Sequence, residues 1–230
     1  MVENLTFSED ITYNYLYNDV LGYMDPSFKI NYVNNLYYQC PGRTIIPNID
    51  TSGVAAFRSM CTYSKAYYID LSKIDTSKAT DMSNMFDGCS DVIYIDVSGF
   101  DTSNVTNMKS MFSSCSKLVS LDISHFDFSK VTDMLHLPGG YSDNTVFKHL
   151  KFGKNLKCKW MNYGCPSRQK ALTLESLLSI IDGLYDFTGN GVKPTSSQAQ
   201  IQFGADHLNT LQNEAPEALQ IAIDKGWTLT

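Results

Sequence analysis

The sequence predicts an α/β solenoid in which short coils, each with one strand and one short helix, stack along a single axis. Two observations predict it. A pattern recurs every 25 or 26 residues, and each copy contains a segment in which apolar and polar residues alternate. Neither element of one copy can bury its apolar side alone, so successive copies must stack on one another.

The repeat is marked by the tripeptide Asp-Thr-Ser. It occurs at Asp50, Asp75 and Asp101, and Asp127-Phe-Ser continues the series. Apolar residues follow at fixed offsets, namely Val54, Ala79, Val105 and Val131, and then Phe57, Met82, Met108 and Met134. The match therefore extends over whole units. We expect the four aspartates to cap backbone N–H groups in the turn that follows each strand.

Each unit contains a predicted strand and a predicted short helix. Ile-Asp-Leu at 69–71, with Ile-Asp-Val and Leu-Asp-Ile in the next two units, has the alternation of a strand with one buried face. We expect Ile69 and Leu71 to point inward and Tyr68 and Asp70 to point outward. Residues 82–86 space their apolar side chains at i, i+3 and i+4, which predicts one or two turns of helix.

Composition divides the chain into three parts. Residues 1–43 hold seven of the fourteen tyrosines, which is compatible with an N-terminal cap or with an attachment segment. Residues 44–137 form the predicted solenoid. Residues 138–230 are predicted to continue as irregular repeats and to end in a helical cap, which a terminal coil needs on its outer face.

The C-terminal part contains further strand and helix signals. Alternating triplets begin at Leu150, Leu172, Ile201 and Trp227 and predict strands. Residues 173–187 have helical apolar spacing after a Thr173 cap, and a second helix is predicted from Pro216 to Lys225, with Gly226 after its end. These helices are expected to cover the end of the stack.

Charge and motif content exclude several functional classes. Lys and Arg total 18 against 24 Asp and Glu, a net charge of −6, which argues against a nucleic-acid binder that uses bulk positive charge. No apolar run approaches the roughly 18 residues that span a bilayer, so no membrane insertion is predicted. No P-loop, nucleophile elbow or His-Glu-x-x-His motif occurs, so the chain is predicted not to be an enzyme.

The outward side of the strands is the first candidate binding surface. Its predicted residues are Tyr68, Asp70, Tyr94, Asp96 and Asp122. Exposed aromatics beside carboxylates can hold a sugar ring. Carboxylates on strands about 4.8 Å apart repel by about 1 kcal/mol in water. Bound Ca²⁺ would relieve this repulsion, but hydroxyls, backbone N–H groups and solvent are alternatives, so no cofactor is predicted.

A basic island in the C-terminal part is the second candidate surface. Residues 138–171 carry seven basic side chains and one acidic side chain. The predicted binding residues are Lys148, Lys151, Lys154, Lys157 and Lys159. They are compatible with a solvated charged face, or with salt-sensitive docking to an acidic partner or an anionic polysaccharide.

The cysteines predict core packing rather than a metal site. Cys89 and Cys115 occupy one slot in successive units, so we expect both sulfurs in the core. Cys158 and Cys165 lie near His149, but their spacing fits no standard zinc pattern.

Residues 81–108 resemble the unit of BspA-type leucine-rich-repeat surface proteins of gut and oral bacteria and of mycoplasmas, and the likeness covers about 50–137. Residues 172–230, ending in Lys-Gly-Trp-Thr-Leu-Thr, are similar to a C-terminal module that accompanies such repeats in gut Bacteroidales and their phages. The resemblance implies a curved leucine-rich-repeat solenoid used for attachment without catalysis.

The resemblance leads to two hypotheses about function. The bacterial proteins carry export signals, whereas this sequence begins without a basic region followed by an apolar core. The first hypothesis is therefore a phage virion surface or tail-fibre component that contacts other virion proteins or a host cell-surface protein or polysaccharide, with a homo-oligomer compatible with that role. The alternative is a secreted BspA-like adhesin located outside the cell or on the bacterial surface.

Overall fold

A computed structural model describes residues 33, 41–45, 50–137, 146–158, 172–195, 198–201 and 203–229. Within this part of the chain the elements, in order, are β1 (Pro41–Ile45), β2 (Lys65–Asp70), β3 (Tyr94–Asp96), β4 (Ser120–Asp122), β5 (His149–Lys151), α1 (Leu174–Asp182), β6 (Gln200–Ile201), α2 (Ala205–Glu214), α3 (Pro216–Asp224) and β7 (Thr228–Leu229). Most of the tyrosine-rich segment 1–43 lies outside the described residues, so its role stays a prediction.

Strands of successive units pair in parallel. β1, β2 and β3 form one three-stranded sheet, and β4 pairs with β5 in another. Tyr68 lies opposite Tyr94 and Ile69 opposite Ile95, so partner residues are one repeat apart. The predicted strands and their orientation are confirmed, since Ile69 and Leu71 are fully buried. The units therefore lie beside one another in register, as the repeat requires.

Residues 82–86 form turns rather than the expected helix. Asn84 has a φ of 56°, a left-handed conformation in which a right-handed α-helix cannot continue. The amides of Met82, Asn84, Phe86 and Gly88 donate to carbonyl oxygens at 107, 109, 111 and 113 of the next unit over 2.8–2.9 Å. An α-helix would use these amides internally. The turns still bury Met82, Met85 and Phe86, which is why the spacing suggested a helix.

A core of methionine, aliphatic and aromatic side chains runs through the stacked units. Phe57, Met82, Met108 and Met134 are all buried, and rings in neighbouring units stack, as Phe86 and Phe112 do at 5.2 Å. The expectation for the cysteines is confirmed as well. Cys89 and Cys115 are buried and not disulfide-bonded, and their thiols donate to the carbonyls of Cys61 and Phe86.

The aspartates of the tripeptide cap turns as predicted. Asp50, Asp75, Asp101 and Asp127 each accept a hydrogen bond at 2.9 Å from the N–H group two residues later. The same local bond occurs after the strands, where Ser72 and Ser98 donate to Asp70 and Asp96. Each unit thus fixes its own corners by short-range hydrogen bonds.

Helix α1 covers the outer edge of β5. The Thr173 hydroxyl accepts from the amide of Ser176, which confirms the predicted cap. The strand expected at 172–174 is wrong, because Thr173 caps the helix and α1 begins at Leu174. The hydroxyls of Ser176 and Ser179 accept from the amides of Leu150 and Phe152 at 2.9 and 2.7 Å. Side chains of a helix therefore satisfy the edge amides that another strand would otherwise pair.

The last part of the described chain forms a small α/β unit. The strands predicted near Ile201 and Trp227 exist as β6 and β7, and they pair with each other in parallel. Helix α3 begins at Pro216 and is followed by Gly226 with a φ of 90°, as predicted. Helix α2 was not predicted. No helix in the described part of the chain is long and apolar enough to cross a membrane.

Candidate functional site

The parallel pairing is interrupted between β3 and β4, although they belong to successive units. The two units differ at one position near this interruption. A side chain at Gly99 would overlap the carbonyl oxygen of Ser72 in the preceding unit. His125 occupies the equivalent position 26 residues later. Its Nε2 atom instead lies 3.0 Å from the carbonyl oxygen of Val97.

This interruption opens a groove on the outward side of the strands. Its volume is about 500 Å³. The side chains that give it its chemical character are Tyr94, Asp96, Asp122, His125, His149 and Lys151. Three of the five residues predicted for the strand surface line the groove. The other two, Tyr68 and Asp70, lie one unit away from it.

The two groove aspartates differ in how many of their oxygens are already bound. Asp122 accepts from the hydroxyl and amide of Ser124 through Oδ1 and pairs with Lys151 through Oδ2 at 3.0 Å. Asp96 accepts from the amide of Ser98 through Oδ1, and in the described part of the chain its Oδ2 has no partner. Asp96 therefore keeps an acceptor for a ligand.

The ion pair keeps Asp122 charged. Partial burial alone would raise the pKa of Asp122, but the hydrogen bonds from Ser124 and the pairing with Lys151 lower it below the ordinary value. The same pair raises the pKa of Lys151. Partial burial, together with the nearby charge of Asp96, raises the pKa of Tyr94. At neutral pH Asp122 and Lys151 are therefore charged and Tyr94 is a neutral phenol.

Tyr68 and Tyr94 stack on one another. Their ring centroids are 5.2 Å apart and their planes differ by 14°. One face of Tyr94 is covered by this contact, and the residue is still 45% exposed. The side of Tyr94 towards β4 belongs to the groove.

The lysines of the basic island make different contacts. Lys151 joins the groove by pairing with Asp122. Lys157 lies over the ring of Tyr185 at 4.1 Å, a cation–π contact. Lys148 and Lys154 are exposed, and Lys159 lies outside the described residues. Docking through the whole island stays a prediction.

A row of exposed apolar side chains was missed. Tyr67, Ile93 and Val119 occupy equivalent positions and are 53%, 53% and 40% exposed. Strict alternation from Ile69 would turn Tyr67 inward. Instead Ala66 is fully buried, and the pairing of β1 with β2 shifts register at this point. Comparing the exposed positions of all units, rather than the alternation of one, would have revealed the row.

The carboxylates of the strand surface are held by protein groups. Asp70, Asp96 and Asp122 each accept from the serine two residues later. The described residues contain no group of three or more His, Cys, Asp or Glu side chains placed to hold a metal ion. Cys158 is buried, which raises the pKa of its thiol to about 12, and Cys165 lies outside the described residues.

The chain belongs to the family described as "Mycoplasma protein of unknown function, DUF285", whose model matches residues 31–148. This family is associated with BspA-like repeat proteins. The matched range includes β1 to β4 and most of the groove residues. No curated protein and no solved structure matches the chain.

Proposed function

We propose that this chain is a non-enzymatic attachment module, a leucine-rich-repeat solenoid that binds a protein or polysaccharide of a cell surface through the groove between β3 and β4. The groove itself carries the proposal. It is a partly aromatic cleft of about 500 Å³ that also contains charged side chains, and it is flanked by units that are fixed to their other neighbours by backbone pairing.

The local bonding supports binding rather than catalysis. Asp122 has both oxygens engaged and a lowered pKa, so it is ionised at neutral pH and is not a proton donor. His125 contacts the carbonyl of Val97 through Nε2. Side chains held in this way present charges and hydrogen-bonding atoms at fixed positions, and a ligand can be recognised by that pattern.

We propose that the protein is a surface or tail-fibre component of a phage virion. The support for this placement is the resemblance of residues 81–108 to BspA-type repeats and of residues 172–230 to a module found with such repeats in gut Bacteroidales and their phages. The alternative is a secreted adhesin of the same repeat class. The two placements differ in the surface that is bound, bacterial for a virion protein and animal host for an adhesin.

Adsorption of the fluorescently labelled full chain to whole cells tests the proposal. Gut Bacteroidales cells and mammalian epithelial cells are compared, using the wild type and the double variant Tyr94→Ala/Asp96→Asn. The matched control is Tyr67→Ala/Asp70→Asn, which changes the same residue types outside the groove. We expect the wild type and control to adsorb and the groove variant to lose adsorption.

Two results would contradict attachment through the groove. One is a wild-type chain that adsorbs to neither cell type, and the other is a groove variant that adsorbs as well as the wild type. Adsorption to bacteria alone favours the virion placement, whereas adsorption to epithelial cells alone favours the adhesin.

A further inference from the structure

On the outward side of the strands, side chains with rings occupy equivalent positions in successive units, except at one position that has no ring. Tyr68 in β2 lies opposite Tyr94 in β3, and Ser120 in β4 lies opposite His149 in β5. Ser120 is also the equivalent of Tyr94, 26 residues later. The row therefore reads Tyr, Tyr, Ser, His, and the serine leaves a gap between the rings of Tyr94 and His149, both of which line the groove.

The gap is wider than one flat ring needs. Two strand spacings separate the units of Tyr94 and His149, which is about 10 Å, and β3 and β4 are not drawn together by a backbone ladder. A flat ring between two others requires about 7–8 Å at ordinary carbon contact distances. The additional width suits a puckered six-membered ring, which is thicker than an aromatic one.

The polar groups beside the gap select a hydroxyl-bearing, uncharged ligand. Asp96 has an acceptor oxygen without a partner in the described part of the chain, next to Tyr94 on the same strand. The charge of Asp122 is offset by Lys151, so the groove keeps one uncompensated carboxylate. That charge repels anions, and its oxygens accept hydrogen bonds from hydroxyl groups.

We propose that the gap over Ser120 is a subsite for one neutral pyranose unit of a surface polysaccharide. The apolar face of the sugar packs on Tyr94, and its hydroxyls donate to Asp96. This inference rests on the proposed attachment function and names the ligand class of the same groove.

Affinity electrophoresis of the full chain in native gels tests the subsite. The gels contain dextran, mannan or β-glucan as neutral polymers and polygalacturonate as an anionic one. The informative variants are Tyr94→Ala, which removes the platform, and Ser120→Tyr, which fills the gap with a ring. Tyr67→Ala is the control, because Tyr67 is similarly exposed but lies outside the groove.

We expect at least one neutral polymer to retard the wild type. Both groove variants should bind it about tenfold more weakly, the fold-change that corresponds to one aromatic contact, and Tyr67→Ala should bind as the wild type does. The Ser120→Tyr variant should keep or raise the melting temperature, because its new ring extends the existing stack, and this separates a filled subsite from a misfolded chain.

Three results would overturn the subsite. The first is a wild-type chain that no neutral polymer retards. The second is a folded Ser120→Tyr chain that is retarded as strongly as the wild type. The third is a wild-type chain that only polygalacturonate retards, with the retardation lost in Lys151→Ala. The last would assign the surface to the basic island. A chain that adsorbs to cells but is not retarded by neutral polymers leaves the attachment function standing and rejects the sugar.

Discussion

The hydroxyl of Thr76 makes two hydrogen bonds with the backbone of Asp101 in the next unit. It donates to the carbonyl oxygen at 3.0 Å and accepts from the amide at 2.8 Å. Thr51 and Thr102 make the same pair of bonds with Asp75 and Asp127. The middle residue of the repeated tripeptide is therefore a buried clamp between units, whereas its aspartate caps the turn within a unit.

Thr76→Val should destabilise the chain. Valine has the same shape but offers neither a donor nor an acceptor, so the amide and carbonyl of Asp101 each lose a partly buried hydrogen bond to the buried Thr76. Such a loss costs about 1–3 kcal/mol in the free energy of unfolding. Urea denaturation measures it, with Thr106→Val as the control, because the Thr106 hydroxyl also bonds a carbonyl of a neighbouring unit but is exposed. Equal losses in both variants would contradict the clamp.

Ser176→Ala should loosen α1 from the stacked units. The Ser176 hydroxyl accepts from the amide of Leu150 and donates to the carbonyl of Lys148. Without it the buried Leu150 amide is unsatisfied, at a cost of about 1–3 kcal/mol. Amide hydrogen exchange should accelerate at Leu150, whereas Ser98→Ala, which removes an exposed hydroxyl, should leave it unchanged. Unaltered exchange at Leu150 in Ser176→Ala would show that the helix does not protect this edge.

The stability should fall in alkali because of buried thiols. Burial raises the pKa of Cys89 to about 12 from an ordinary value of 9.0, and burial has the same effect on Cys158. Between these two pH values the folded state holds protons that the unfolded state releases, so the contribution of the thiols to the free energy of unfolding is constant below about pH 9 and falls above it. Urea denaturation from pH 8 to 10.5 measures the decline.

The double variant Cys89→Ala/Cys158→Ala isolates this effect from tyrosine and lysine titration. It should be less stable than the wild type at pH 8, and the difference between the two chains should shrink as the pH rises. A difference that stays constant up to pH 10.5 would mean that the thiols are not responsible.

The ion pair in the groove should be visible in the titration of Asp122. Its lowered pKa means that it favours folding above the ordinary value of 3.8 and that this contribution is lost as the pH falls through the folded pKa. Lys151→Met should raise the pKa of Asp122, and Lys148→Met should not. Carboxyl NMR measures both. Because Asp122 and Lys151 are exposed, the effect on overall stability should be small.

Local signals in the sequence predicted much of the repeat. These signals depend only on residues close together in the sequence. They are the alternation at 69–71, the Asp-Thr-Ser offsets, the cap at Thr173 and the start of α3. The turns at 82–88 could not be distinguished from a helix in the same way. Both arrangements bury residues at i, i+3 and i+4, and only the left-handed φ of Asn84 and the amides donated to the next unit separate them.

The groove depends on how neighbouring units differ. The sequence shows the change from Gly99 to His125 and from Tyr94 to Ser120 at equivalent positions. The width of the groove follows only from the packed backbone. Helix α2 was missed for another reason. Its buried face contains Leu211 and a histidine, His207, that bonds the backbone at Leu172 and Phe203, so apolar periodicity is weak.

The adsorption isotherm of a His125→Gly chain on whole cells tests whether the chain attaches through the groove between β3 and β4. Glycine should let β4 approach β3 as Gly99 lets β3 approach β2, where the Leu71 amide donates to Asp96. The amide of Val97 should then exchange more slowly, and the groove should close. We expect a folded chain that binds cells at least tenfold more weakly, by analogy with a lost central contact. An isotherm that overlays the wild type while Val97 becomes protected would contradict attachment through the groove.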